Sequence, residues 1–258
     1  MTLALHHIDT GGDGTPLVVI HGLLGSADNW RSHIKKWQEQ HRVIAVDLRN
    51  HGRSPHSPGM GYAAMARDVL ALLEALGVAR AHVLGHSMGG KVAITLARLA
   101  PERLASLIVA DVAPQAYGHG HDNELGALRR VRDERPADRR QADALMADFI
   151  DQRTTRLFLA TNLVRGEDGM TVRVGLDQIT EDYASISGEP DGEGAFEGPT
   201  LVVRGSRSSY VTDAMLPALR EVLPNAELET LEAGHWLHAE CPEEFQAAVN
   251  GFLARQHG

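Results

Sequence analysis

The sequence predicts an α/β fold: a mostly parallel central sheet flanked by helices, with a mainly helical insertion. Three observations point there. Short apolar runs (Leu17–Ile20, Val43–Val46, 81–84, Leu104–Ala110) alternate with stretches of helical periodicity, the rhythm of strands buried on both faces. Each run ends in Gly, His or Asp, as expected at the C-terminal strand edge, where functional groups collect. The rhythm stops near residue 114 and resumes near 197, which assigns 1–113 and 197–258 to the core and 114–196 to a cap insertion.

Composition narrows the class. At 258 residues, 43% hydrophobic and 23% charged, the chain suits one soluble globular domain with an insertion. A net charge of −9 argues against nucleic-acid or anionic-membrane binding. No run reaches the ~18 apolar residues of a membrane span. The opening Met1-Thr2-Leu3-Ala4-Leu5-His6-His7 lacks the basic and apolar regions of a leader. The single cysteine, Cys241, forms no internal disulfide and suits a reducing compartment, so a cytoplasmic location is expected. Cys241 itself, next to Pro242, reads as a buried structural thiol. Nothing in the sequence sets the oligomeric state.

In chain order, Leu17–Ile20 is a strand ending in His21-Gly22-Leu23-Leu24-Gly25, whose glycines permit a sharp turn with N–H groups facing inward. Residues 28–39 read as a helix capped by Asp28, with Trp30, Ile34 and Trp37 apolar at helical spacing. Val43–Val46 is the next strand, followed by a polar loop, Asp47-Leu48-Arg49-Asn50-His51-Gly52-Arg53-Ser54, that braces the sheet edge. Residues 62–76 form a helix closed by Gly77. Then come strand 81–84, helix 89–100 and strand Leu104–Ala110, which runs into Asp111.

The insertion reads as helices at 123–134, 137–150 and 176–186 with a hairpin within 163–174. Arg129, Arg130, Arg132, Arg135, Arg139 and Arg140 are interleaved with acids and read as a solvated face, the alternative being a site for the phosphates of a coenzyme A thioester. His119 and His121 sit in a Gly-rich loop without further ligands at metal spacing, and no metal or cofactor is expected. Residues 188–198 lead back to strand 199–204, helix 213–223, strand Ala226–Leu231, the loop Ala233-Gly234-His235-Trp236 and helix Pro242–Ala254.

The chemistry centres on Gly85-His86-Ser87-Met88-Gly89-Gly90-Lys91. A strand, a turn with Ser87 flanked at two positions by glycine, and a helix make the G-x-S-x-G nucleophile elbow. The turn forces the serine backbone into a strained region and presents its hydroxyl at a helix N-terminus. The same letters fit G-x-x-x-x-G-K, with Leu107-Ile108-Val109-Ala110-Asp111 as a Walker B strand, but Val92 stands where a magnesium-binding Ser or Thr belongs. A serine needs a base, and His235, after the last strand and last in chain order, is the candidate among 14 histidines. The Leu23 and Met88 N–H groups are expected to form the oxyanion hole. His238 and His86 read as packing residues, and His21 as locally hydrogen-bonded.

With these motifs, Arg49-Asn50-His51-Gly52 and Gly234-His235-Trp236-Leu237-His238, the sequence resembles the α/β-hydrolase superfamily, and within it the small bacterial YbfF-like serine esterases. The resemblance implies the α/β-hydrolase fold and hydrolysis of carboxylic esters or acyl thioesters through an acyl-serine. Perhydrolysis, C–C bond hydrolysis and acyl transfer share the same triad, and a ligand receptor on this fold is a non-enzymatic alternative. The acid is open between Asp213 and Asp111: strand 199–204 is followed by Ser206 and Ser208 rather than a carboxylate, while Asp213 reads as a helix cap. Asp111 lies well at the end of its strand, and the resemblance implies Asp111 with Ser208 near the histidine. Trp30, Tyr210 and Trp236, with Tyr117, Phe158 and Tyr183, are candidates to line a small-molecule pocket.

Overall fold

The computed structural model describes residues 2–256; Met1 and residues 257–258, at the outer ends of the expected core segments, lie outside them. A seven-stranded sheet runs in the order β1-β3-β2-β4-β5-β8-β9. Its strands are β1 (His7–Asp9), β2 (Leu17–Ile20), β3 (Val43–Val46), β4 (Ala81–His86), β5 (Leu104–Ala110), β8 (Thr200–Gly205) and β9 (Ala226–Leu231). All neighbours pair in parallel except β1, which lies antiparallel on β3.

Residues alternate across this sheet, as the two-residue strand period requires. In β2, Val18 and Ile20 pack into one apolar layer and Leu17 and Val19 into the other. The first layer is closed by α2 (Tyr62–Ala75), α3 (Met88–Leu99) and α9 (Leu216–Val222). The second is closed by α1 (Arg31–Trp37), α10 (Leu237–Glu240) and α11 (Pro242–Ala254). After β2 the chain moves to one side to lay down β3 and then crosses to the other for β4. The resulting crevice opens at the C-terminal ends of β2 and β4, where such sheets bind ligands.

Between β5 and β8 lie α4 (Asp122–Glu134), α5 (Arg139–Ala147), α6 (Arg153–Leu159), the hairpin β6 (Leu163–Gly166) and β7 (Gly169–Val172), α7 (Leu176–Glu181) and α8 (Tyr183–Ser187). Several contacts fasten this segment to the sheet edge. Asn162 Nδ2 donates to the Leu24 carbonyl at 2.8 Å, the Gly59 and Met60 N–H groups donate to Asp182, and Lys91 Nζ donates to the Gly188 carbonyl at 2.5 Å.

Several local expectations are corrected. Asp28 is not a helix cap: Ser26 takes that position, boxed with Asn29, and a 3-10 turn (Ala27–Trp30) precedes α1. Residues 176–186 form two helices, because the Asp182 carboxylate at the break is drawn to the Gly59 and Met60 N–H groups. The helix expected at 137–150 starts at Arg139, with Asp138 capping the Gln141 N–H. β1, α6 and α10 add to the elements the sequence predicts.

Candidate active site

The turn between β4 and α3 holds Ser87 at φ 54°, ψ −121°, a region that costs a non-glycine residue about 1–3 kcal/mol. Close packing imposes it. A Cβ on Gly85 would collide with the Gly89 carbonyl, one on Gly89 with the Ile20 and His21 carbonyls, and one on Gly90 with Val112. The Ser87 N–H is held by the Ala110 carbonyl at 2.9 Å, and its own carbonyl accepts from the Gly90 N–H at 2.8 Å. Strain recurs along this edge: Leu24, Asn50, Ser87 and Asp111, past the ends of β2, β3, β4 and β5, all have positive φ.

Ser87, His235 and Asp111 come together in one hydrogen-bonded line. Ser87 Oγ lies 2.9 Å from His235 Nε2, and His235 Nδ1 lies 2.7 Å from Asp111 Oδ2. Asp111 is fully buried at φ 52°. Its Oδ1 accepts the Gly205 N–H at 3.0 Å, and its Oδ2 also accepts the Ser208 hydroxyl at 2.5 Å. An ionised carboxylate only accepts, so His235 carries its proton on Nδ1 and turns a bare Nε2 toward the serine, the tautomer a general base needs. Asp213 stands elsewhere: Thr212 holds the cap position, and the exposed Asp213 carboxylate pairs with Arg204 at 2.7 Å.

Around this line the loops after β2 and β3 brace one another. The Leu48 N–H donates to His21 Nε2 at 3.0 Å and the Leu24 N–H to His51 Nε2 at 3.1 Å, the two rings lying 5.0 Å apart. Burial pushes His51 down to about 3 and lowers His21 as well, so both are neutral acceptors. Asp47 is buried yet its carboxyl is held below the usual range, because the Arg53 and Ala27 N–H groups and His6 offset the cost of burial. Among the described residues no protein acceptor takes the Leu23 or Met88 N–H, whereas the Leu24, Gly25 and Ser87 N–H groups are bonded.

A chamber of about 220 Å³ opens over Ser87, walled by Leu23, His121, Glu124, Phe158, Tyr210 and Trp236. A larger cavity of about 630 Å³ adjoins it, sharing Asn29, Phe158, Trp236 and His238. The Phe158 and Trp236 rings, 5.6 Å apart, stand between the two. Tyr210 stacks on His235 at 3.9 Å. Trp30 touches the chamber but is 1% exposed, sandwiched between His238 and Trp37. Tyr117 and Tyr183 line a third space of about 60 Å³, which Ser87 also lines. The sequence reading missed Glu124, and His121, considered only for metal, bonds Tyr183 instead.

Other candidates resolve as follows. Lys91, the lysine of the phosphate-loop pattern, is buried between the Tyr117 and Tyr62 rings. Arg130 pairs with Glu134 and Arg132 with Asp177, while Arg139 donates to the Ala160 and Leu163 carbonyls. Cys241 is half-buried rather than buried; desolvation and the charges of Glu244 and Glu240 push its thiol up, and it donates to the Leu237 carbonyl. Among the described residues no group of three or more His, Cys, Asp or Glu side chains could hold a metal ion, and no helix is long and apolar enough to cross a membrane.

The family model described as alpha/beta hydrolase fold matches residues 15–242. The chain is 35% identical over 255 residues to the sn-1-specific diacylglycerol lipase ABHD11 of Danio rerio, spanning 95% of this chain and 80% of that protein. It is 35% identical over 243 residues to Esterase YbfF of Escherichia coli, spanning 93% and 94%. A solved marine microorganism esterase superposes with a TM-score of 0.94 at 34% identity, covering 97% of this chain and 100% of that one.

Proposed function

Because the chain belongs to the alpha/beta hydrolase fold family, with YbfF-like esterases among its relatives, we propose that it is a serine esterase acting through Ser87, His235 and Asp111. The observation that carries this reading is the unbroken line from Ser87 Oγ through His235 to the buried Asp111 carboxylate. Ser87 attacks the acyl carbonyl while His235 Nε2 takes its proton. Asp111 stabilises the imidazolium, and the Leu23 and Met88 N–H groups hold the oxyanion. His235 then protonates the departing alcohol, and water, activated in the same way, releases the acid and restores Ser87. Ser208 helps fix the Asp111 carboxylate. Residues 114–196 serve as the cap, with 1–113 and 197–258 as the core. The chamber of about 220 Å³ over Ser87 suits a small-molecule ester. Thioesters fit the same chemistry.

Covalent labelling with a fluorophosphonate tests this reading. Modification of Ser87, absent in Ser87→Ala, together with loss of p-nitrophenyl ester turnover in that variant, is the expected outcome. Turnover that survives in Ser87→Ala would overturn it, as would a wild-type protein inert to both reagents.

A further inference from the structure

One hydrogen bond ties the proposed base to the residue that precedes the proposed nucleophile. His86 Nε2 lies 2.8 Å from the His235 carbonyl oxygen. A carbonyl only accepts, and burial lowers His86, so its ring is neutral and carries its one proton on Nε2. Among the described residues no backbone N–H takes the His235 carbonyl, which leaves His86 as its donor. The residue is 4% exposed, and Gly22 makes room for its ring: a Cβ there would stand 3.1 Å from His86 Nδ1. The loop has a second hold of the same kind further on, from His33 Nε2 to the His238 carbonyl at 2.8 Å.

Only the first of these holds closes on the chemistry. Ser87 follows His86 directly, and its Oγ lies 2.9 Å from His235 Nε2. The Ser87 hydroxyl, the His235 ring, the His235 carbonyl and the His86 ring therefore make a closed circuit through one short stretch of backbone. Asp111 sets the direction of the His235 imidazole through Nδ1, and Tyr210 stacks on its face. The carbonyl bond sets the backbone from which that ring hangs. Packing alone needs no histidine at this position. A leucine or phenylalanine would fill the same space against His238, whose ring lies 4.5 Å away, but would leave the His235 carbonyl without a donor.

Resting on the esterase reading above, we infer that His86 is a positioning residue: its Nε2–H holds the His235 backbone so that the base stays within reach of the Ser87 hydroxyl. Two variants assayed with a p-nitrophenyl ester test this. His86→Phe keeps a ring of similar size and removes the donor, and His86→Gln supplies an amide N–H at a similar reach. In His86→Phe kcat should fall by about 10- to 100-fold while KM stays within about twofold of wild type, because the misplaced group is the base. His86→Gln should recover to within about fivefold of the wild-type kcat. The His235 Nδ1 proton shared with Asp111, a downfield resonance in the NMR spectrum of wild type, should broaden in His86→Phe and return in His86→Gln. Wild-type kcat in His86→Phe, equal losses in the two variants, or a loss carried by KM alone would overturn the assignment. If His86→Phe does not fold, folded His86→Gln still decides, and a kcat deficit beyond about fivefold counts against the proposal. Failure of the esterase reading would look different: wild type itself would leave the ester intact, or Ser87→Ala would hydrolyse it as fast as wild type.

Discussion

At the residue scale the decisive assignment is the acid. Asp111 is fully buried with three donors on its carboxylate, and Asp213 is exposed and bonded to Arg204. Asp111→Asn should keep the fold but lower kcat by about 10⁴, since an amide in that place favours the wrong imidazole tautomer. Asp213→Asn should hydrolyse p-nitrophenyl esters at the wild-type rate. Steady-state kinetics of the two purified variants compare them directly, and a collapse in Asp213→Asn alone would refute the assignment. Ser87 and His235 were legible because their spacing and chain order are local facts. Asp111 needed the resemblance, since a strand-end aspartate has no signature of its own. Glu124 was illegible because only tertiary packing brings α4 over the chamber.

Elements show a similar division. Strands β2 to β5 announce themselves as apolar runs because both of their faces are covered. β1 does not: its three residues, His7–Asp9, are half-buried, antiparallel and at the edge, so no apolar pattern is required of them. The break at Asp182 is equally silent, since its cause is a bond to backbone more than a hundred residues away. The elbow is the opposite case, a local sequence rule with a steric reason. Gly89→Ala should drive a methyl into the Ile20 and His21 carbonyls, which cannot give way without shifting β2. Destabilisation of about 3 kcal/mol or more is expected, read as a lower midpoint in urea unfolding, together with loss of activity. A variant of wild-type stability would show that the elbow is looser than its packing implies.

For the whole molecule, Lys91 is the buried charge among the groups that fasten the segment after β5 to the sheet. Its ammonium lies under two tyrosine rings and donates to the Gly188 carbonyl, and burial lowers it from 10.5 to about 8. Between about pH 8 and 10.5 the unfolded chain holds this proton and the folded chain does not, so this contribution to stability rises with pH. Below pH 8 both states are protonated and the full cost of the buried charge is present. The stability of wild type relative to Lys91→Met should therefore climb across that window. Thermal midpoints of the two proteins from pH 7 to 10.5 measure it, and parallel curves would contradict it.

The register of β4 on β5 has a consequence for the proposed triad. His86 pairs with Ala110, and Ser87 and Asp111 are the first residues past the two strands, joined to the sheet by the Ser87 N–H on the Ala110 carbonyl and the Asp111 N–H on the Val203 carbonyl. Nucleophile and acid are therefore bolted to one frame, at a separation governed by the ~4.8 Å strand spacing. His235 comes from the loop after β9, so strand register does not set its place; its bonds to Asp111 and Ser87, the His86 ring on its carbonyl and the stacked Tyr210 do.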